Sequence, residues 1–478
     1  MVNSINQYIV SKKDYIIFSV IAILYFITRF TVLPSGDSVM NINQIENYDI
    51  YSRSTHFTFH LLGVGFYAFF HYLFGLSGVI STEIMLGTVS LIGSIAFYRI
   101  LMKIFPDENI PLVAVVIYAL SSGIWRFSVQ SEYVVIVPSI GLISFYFFQN
   151  KKYLFSGLFL GLGFLSSPFI MLMSPFYLYF LKKNEKNVWK IALLIIGLII
   201  VYITVNLFTF KETVEGNWSY SMIIPYYFKF IRPSRAVMML VYGYFRSFHI
   251  LLPFVVIGLY YIFKKDKKIF WITIFIFIFH LPVIVNEARQ GAYQFGVYPF
   301  FAIAAGIGLT KLFGKRRFIF NAIIVLYAFL NLLMVFSEKV YFNNLTGTYE
   351  KLNNNKDIPN NSILITYHHV GLLNYYAPRF ANTGLLDDFT DNKMKTLFSE
   401  WEGSRIDTLM ESKRDKYLLE TGIREPDDGL KVMFPSIFST QGALVKGYGK
   451  LSLAKYMKDK KFVLLKDYKI EVYKIEAN

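Results

Sequence analysis

The chain has no cysteine among its 478 residues. That excludes disulfides, thiolate metal sites and a cysteine nucleophile. It is also short of charge: 17% of its residues are Asp, Glu, Lys or Arg, where a soluble globular domain carries about a quarter. It contains no Walker loop, no G-x-G-x-x-G after a strand, no H-E-x-x-H and no G-x-S-x-G. A nucleotide-driven pump and a membrane metalloprotease therefore have no support. What fills the chain instead is apolar: 55% hydrophobic and 18% aromatic residues, with a mean hydropathy of +0.44. Apolar runs of about twenty residues recur, the length a helix needs to cross the hydrocarbon core. The fold class is mainly α, and the protein is a polytopic membrane protein.

The formal net charge of +16 does not point to nucleic acid. The basic residues fall in short clusters between apolar runs, the pattern of cytoplasmic membrane loops. Lys12 and Lys13 precede the first run, residues 15–33. That run is long for a signal-peptide core and no A-x-A-like site follows it. It reads as an uncleaved first span.

Ten further spans are expected at 82–102, 110–127, 133–149, 153–166, 169–181, 190–209, 247–263, 269–285, 293–312 and 318–337. Residues 57–75, "FTFHLLGVGFYAFFHYLFG", are apolar enough to cross as well, and charge decides the matter. If this segment lies in the interface, eighteen basic residues fall on the cytoplasmic side, among them Arg99, Lys103, Lys151, Lys152, Lys264, Lys265 and Arg316. Eight fall opposite: Arg53, Arg126, Lys211, Lys229, Arg232, Arg235, Arg246 and Arg289. If it crossed, most clusters would sit outside, against the positive-inside rule. His56, His60, His71 and the aromatics also suit headgroup depth.

This gives about eleven transmembrane helices over residues 1–337, an N-terminus in the cytoplasm and a first external loop over 34–81. Residues 338–478 have mixed charge and a linker, "NNNKDIPNNS". Near the end, "FVLLKDYKIEVYKI" alternates apolar and polar residues around a turn, like a β-hairpin. A small extracytoplasmic α/β domain is expected there.

Under this topology three features share the non-cytoplasmic side. "SGDS" carries Asp37 and is followed by His56; "WRFSVQSEYVV" carries Arg126 and Glu132; "NEARQGAYQFGVYPF" carries Glu287 and Arg289. Each has a plainer reading. Asp37 or Ser38 serves equally well as the cap of a helix beginning near Val39. Glu132 suits a solvated turn, and Arg289 suits a headgroup anchor. The pair His368–His369 lacks companion ligands and reads as surface.

An uncleaved first span, an acid just beyond it and a long apolar first loop resemble the GT-C class of polyprenol-dependent glycosyltransferases. Within that class the chain is similar to the bacterial and archaeal protein O-mannosyltransferase-like membrane proteins. The matching positions are Asp37 and Ser38, His56 with Leu61, Leu62 and Gly63, and then Trp125, Glu132 and Tyr133. Val39 and Met40 stand where the family has Gly-Glu, and Phe57-Thr58-Phe59 replaces its Pro-Pro-Gly.

The resemblance implies a transferase that moves a sugar, mannose in that family, from a polyprenyl-phosphate donor to a hydroxyl on a protein or glycan acceptor. Asp37 would be the general base, with its pKa lifted if the aromatic loop desolvates it. Arg289, Arg126 or Arg246 would bind the lipid phosphate. Glu132 would orient the acceptor or join Asp37 on a divalent metal, and His56 would contact substrate. Metal use stays open, because GT-C enzymes differ in it. The competing class is a lipid or glycolipid flippase or transporter. Such proteins usually carry ionisable residues inside their spans, and the middles of these spans hold almost none.

Overall fold

The computed structural model describes residues 12–34, 36–50, 56–106, 109–167, 244–286 and 297–359, and positions 170, 173, 175 and 177. Beyond 359 it describes 362–366, 375–377, 381–384, 416–419, 460–465 and 472–477. The helices are α1 (Lys12–Ile27), α2 (Gly36–Glu46), α3 (Phe57–Phe74), α4 (Gly78–Ile104), α5 (Ile110–Ala119), α6 (Ser122–Ser128), α7 (Ile136–Gln149) and α8 (Tyr153–Ser166). After these come α9 (Leu252–Lys265), α10 (Lys267–Asn286), α11 (Tyr298–Phe313) and α12 (Arg317–Asn354).

Local chemistry sets several of the boundaries. α3 stops at Gly75, whose φ of 66° is left-handed. Its N–H returns to His71 O at 2.8 Å, the usual way a helix end satisfies its last carbonyls. Two residues on, Ser77 starts α4 in extended backbone, and its Oγ accepts Ile80 N–H at 3.4 Å. The expected span 110–127 is broken: α5 and α6 meet at a 60° bend. The break falls at Leu120–Ser121, just before Ser122-Gly123, and small polar residues of this kind are common at kinks.

The chain divides into two compact units, Met1–Thr31 with Asn41–Phe336, and Val32–Met40 with Ser337–Asn478. In the first, α4 packs against α1, α3, α5 and α7. At Gly93 a Cβ would stand 2.7 Å from Ser139 Cα, so only glycine lets α4 and α7 approach this closely. α9 and α11 use the same device at Gly258 and Gly308, where a Cβ would run into the carbonyls of Ala304 and Phe254. Small residues take this part between helices in lipid, where water supplies no drive to associate.

The first unit has two chemically distinct ends. At one, Lys103 Nζ donates to Asn150 Oδ1 at 2.6 Å, and Lys265 lies over the Phe105 ring at 5.3 Å. Lys151 and Lys152 follow α7 directly, at that same end. At the other, Phe30 N–H donates to Val129 O at 2.9 Å, and Ser131 Oγ lies 3.5 Å from Val79 O.

Among the described residues four helical segments are long and apolar enough to cross a membrane: Phe57–Phe74, Gly78–Ile104, Arg246–Lys265 and Arg317–Asn354. The bent pair α5–α6 makes a fifth if it is one span. The protein is a multi-pass membrane protein. The expected spans 190–209 and most of 169–181 lie outside the described residues, so the count of eleven stays a sequence-based expectation. α3 is about 27 Å long at 1.5 Å per residue, so its length does not forbid crossing.

The second unit contains a five-stranded sheet of order β2-β1-β3-β5-β4. Its strands are β1 (Ile363–Thr366), β2 (Ala381–Gly384), β3 (Lys416–Leu419), β4 (Lys460–Leu465) and β5 (Val472–Ala477). β1 pairs parallel with β2 and β3, while β5 runs antiparallel to β3 and β4. Leu345, Tyr349 and Leu352, from the last turns of α12, are fully buried in this unit. Leu33 N–H donates to Tyr376 Oη at 3.1 Å.

Candidate active site

The site is built around the exit of α1. Beyond Ile27, Trp125 Nε1 donates to Thr28 Oγ1 at 2.9 Å. Thr31 then adopts a φ of 60°, which is costly for a β-branched residue. Its N–H is held by both carboxylate oxygens of Glu83, at 3.0 and 3.2 Å. Glu83 is 1% exposed, and a charge-assisted bond to a backbone N–H is one of the stronger ways to hold a buried acid. The lock fixes the backbone just beyond α1.

Asp37 is the second residue of α2, which begins at Gly36. The cap reading put the start of this helix near Val39. The helix starts three residues earlier, so Asp37 stands in its first turn instead of before it.

This end of the first unit carries three sequence-predicted residues, His56, Glu132 and Arg126. His56 precedes α3 and makes no side-chain cap. Its ring stacks on Tyr133 with centroids 3.6 Å apart, and its Nδ1 lies 3.2 Å from Ser166 O. A carbonyl can only accept, so Nδ1 carries the proton and Nε2 is the acceptor nitrogen of the neutral ring. One turn on, Thr58 Oγ1 donates to Leu162 O at 2.6 Å, tying α3 to the end of α8.

Glu132 adjoins Tyr133, is 6% exposed, and stands before a 3-10 turn over Tyr133–Val135 without capping it. Its backbone N–H donates to Gln130 O at 2.7 Å. Arg126, on α6, donates from Nε to Gln130 Oε1 at 3.4 Å, and its guanidinium lies over the Phe127 ring at 5.1 Å. Gln130 thus joins the cation to the carboxylate's loop. Arg289 and Glu287 lie outside the described residues.

Sequence reasoning gave no role to Glu83, Gln130 or Ser166. Glu83 had a usable signal, a lone carboxylate within an apolar run. Among the described residues no group of three or more His, Asp or Glu is placed to hold a metal ion.

No family model and no curated protein matches the chain. Solved structures do. The structure of ArnT from Cupriavidus metallidurans bound to undecaprenyl phosphate superposes with a TM-score of 0.60 at 10% identity, over 97% of this chain and 98% of that one. Its apo state gives 0.53 at 11% identity, over 96% and 97%. The fold is GT-C-like. An Archaeoglobus fulgidus oligosaccharyltransferase structure with zinc and sulfate is also similar, at 0.47 and 12% identity, over 96% of this chain and 73% of that one.

Proposed function

We propose that this protein is a membrane glycosyltransferase that moves a sugar from a polyprenyl-phosphate donor to a hydroxyl acceptor on the extracytoplasmic side. The observation that carries the reading is that the His56–Tyr133 stack beside Glu132, and the Arg126–Gln130 contact, lie at the end of the bundle away from Lys103, Lys151 and Lys265. The GT-C-like fold over nearly the whole chain supports it.

The acceptor oxygen attacks the anomeric carbon, and the bond from that carbon to the phosphate oxygen breaks. Asp37 takes the acceptor proton as general base. The electron pair leaves on the polyprenyl phosphate, a good leaving group that needs no strong acid. Arg289 and Arg126 meet the charge growing on that phosphate with charge-assisted hydrogen bonds. Glu132 orients the acceptor and His56 contacts the sugar or the acceptor. Mannose as the sugar and a protein hydroxyl as the acceptor are the specific forms we favour, on the motif positions.

The reading includes an orientation: the basic end faces the cytoplasm, α3 lies at headgroup depth, and residues from about 338 form an extracytoplasmic domain. The test is chemical. Cells lacking the protein should accumulate a polyprenyl-phosphate-linked sugar, identified by mass spectrometry of their lipid extract, and re-expression should clear it. An unchanged lipid-linked sugar pool would sink the proposal.

A further inference from the structure

Among the described residues, α5 and α6 are the one pair that passes together as a span yet bends, by 60°. A break leaves the last carbonyls of one helix and the first N–H groups of the next without partners. Inside a membrane protein those groups must find partners elsewhere. Ser121, at the N-cap of α6, does not supply one: it makes no side-chain cap, and its hydroxyl donates back to Tyr118 O at 2.7 Å.

The cap comes from α12 instead. Asn331 Oδ1 accepts the Ser122 N–H at 2.8 Å, across 209 residues of sequence. One turn earlier on the same helix, Tyr327 Oη shares its one proton between Ile117 O at 3.0 Å and Ser247 O at 2.9 Å. From α1, Tyr25 Oη donates to Ala119 O at 2.7 Å. Both sides of the break are therefore held by neighbouring helices.

The orientation of the Asn331 amide is fixed. A backbone N–H can only donate, so Oδ1 must face Ser122, and Nδ2 is left to donate to Tyr327 O at 3.0 Å. Nδ2 also faces His249 Nε2 at 3.1 Å, which makes Nε2 the acceptor. Asn331 is fully buried.

We propose that Asn331 is a positioning residue for transfer. By capping α6 it fixes the direction in which α6 leaves the bend. It thereby fixes Trp125, Arg126 and, through Gln130, the loop that holds Glu132. This rests on the glycosyltransferase reading of Glu132. Polar groups in an apolar interior usually read as glue between helices; here the glued object is the helix that carries the site.

The test uses the full-length protein in nanodiscs, with a panel of undecaprenyl-phosphate-linked hexoses and donor consumption as readout. Asn331→Leu keeps the volume and removes the cap. Donor consumption should fall about 10²-fold at saturation with the donor KM nearly unchanged, the size of effect an ångström-scale misplacement produces. Asn331→Asp keeps an acceptor for Ser122 N–H and should recover most of the loss. In a Glu132→Gln background Asn331→Leu should cause a clearly smaller loss than in the native protein, because part of its effect passes through Glu132. A merely structural Asn331 would give losses that multiply, and an Asn331→Asp no better than Asn331→Leu; either result overturns the proposal. Should Asn331→Leu fail to accumulate, Asn331→Ser takes its place.

A second readout does not depend on turnover. In a protein keeping Trp125 as its only tryptophan, Asn331→Leu should shift the indole emission as the bond to Thr28 loosens. If Glu132→Gln alone leaves donor consumption intact, the role given to Glu132 has failed. The emission then decides the inference: a shift supports the hold of Asn331 on α6, and no shift overturns it.

Discussion

Tyr133 lies on His56 with ring planes 24° apart and centroids at 3.6 Å. The contact joins the start of α3 to the turn that holds Glu132, two segments 77 residues apart in sequence. Each ring limits the other's rotation. The bond from His56 Nδ1 to Ser166 O then sets which ring nitrogen can accept a hydrogen bond.

A stack and a substrate contact can be separated by mutation. His56→Phe keeps the flat ring against Tyr133 and removes both nitrogens, while His56→Ala removes the stack as well. If Nε2 meets substrate, both variants should lose about tenfold or more in donor consumption, the value of one specific hydrogen bond. His56→Phe should melt close to the native protein and His56→Ala below it. Full activity in His56→Phe would reduce His56 to a packing residue.

Glu83 and Thr31 make a second separable pair. Glu83→Ala removes the acceptor of the Thr31 N–H, a loss of about 0.5–1.5 kcal/mol that should show as a lower melting temperature in detergent. Thr31→Gly should act in the opposite direction. It keeps the N–H on Glu83 and relieves the left-handed φ of 60°, so the variant should melt at or above the native temperature. A Thr31→Gly protein that melts well below native would mean that the Thr31 side chain matters more than its backbone.

What the sequence makes legible is what short-range physics decides. Ser77 before a long apolar run marks the start of α4, and the alternation in residues 462–475 marks strands where β4 and β5 pair antiparallel. The acid beyond the first span, His56 and Glu132 stand out because they are rare polar residues among apolar neighbours. The 60° bend is only half legible. Ser121-Ser122-Gly123 permits a break, but what stabilises it is Asn331, 209 residues away, and no local pattern points there. The partner of Glu83 hides for the same reason: it is the N–H of Thr31, 52 residues earlier, and a backbone group leaves no mark in a sequence. Gly258 and Gly308 read as ordinary glycines in apolar runs until the carbonyls opposite them are placed.

The orientation of the chain can be tested without knowing its substrate. The basic groups of Lys103, Lys151, Lys152 and Lys265 lie at one end of the first unit. The positive-inside rule puts that end in the cytoplasm. α12 begins at Arg317, directly after Lys315 and Arg316, and runs on to Asn354. At about 57 Å it exceeds a hydrocarbon core of roughly 30 Å, so its C-terminal turns should emerge on the far side. A reporter fused after Asn478 should read out as extracytoplasmic. A cytoplasmic signal would mean that residues 57–75 span the membrane or that another expected span is wrong.

The decisive residue is Asp37. The structure places it in the first turn of α2, where a carboxylate is favoured by the unpaired N–H groups of the helix start, and the transfer reading makes it the base. The two roles differ in what Asp37→Asn does. Asparagine keeps the size and much of the capping ability, so a helix-start role loses about a kcal/mol or less and leaves turnover recognisable. A base loses its proton acceptor altogether, and donor consumption should fall by roughly two to four orders of magnitude. The purified variant should still insert, melt near the native temperature and bind undecaprenyl phosphate. Asp37→Glu tests the geometry in turn, because the carboxylate remains but moves by a methylene, and an intermediate rate is expected. Glu132→Gln, measured alongside, should lower turnover less than Asp37→Asn if it only orients the acceptor. Near-native turnover in Asp37→Asn would remove the base and return Asp37 to the helix start.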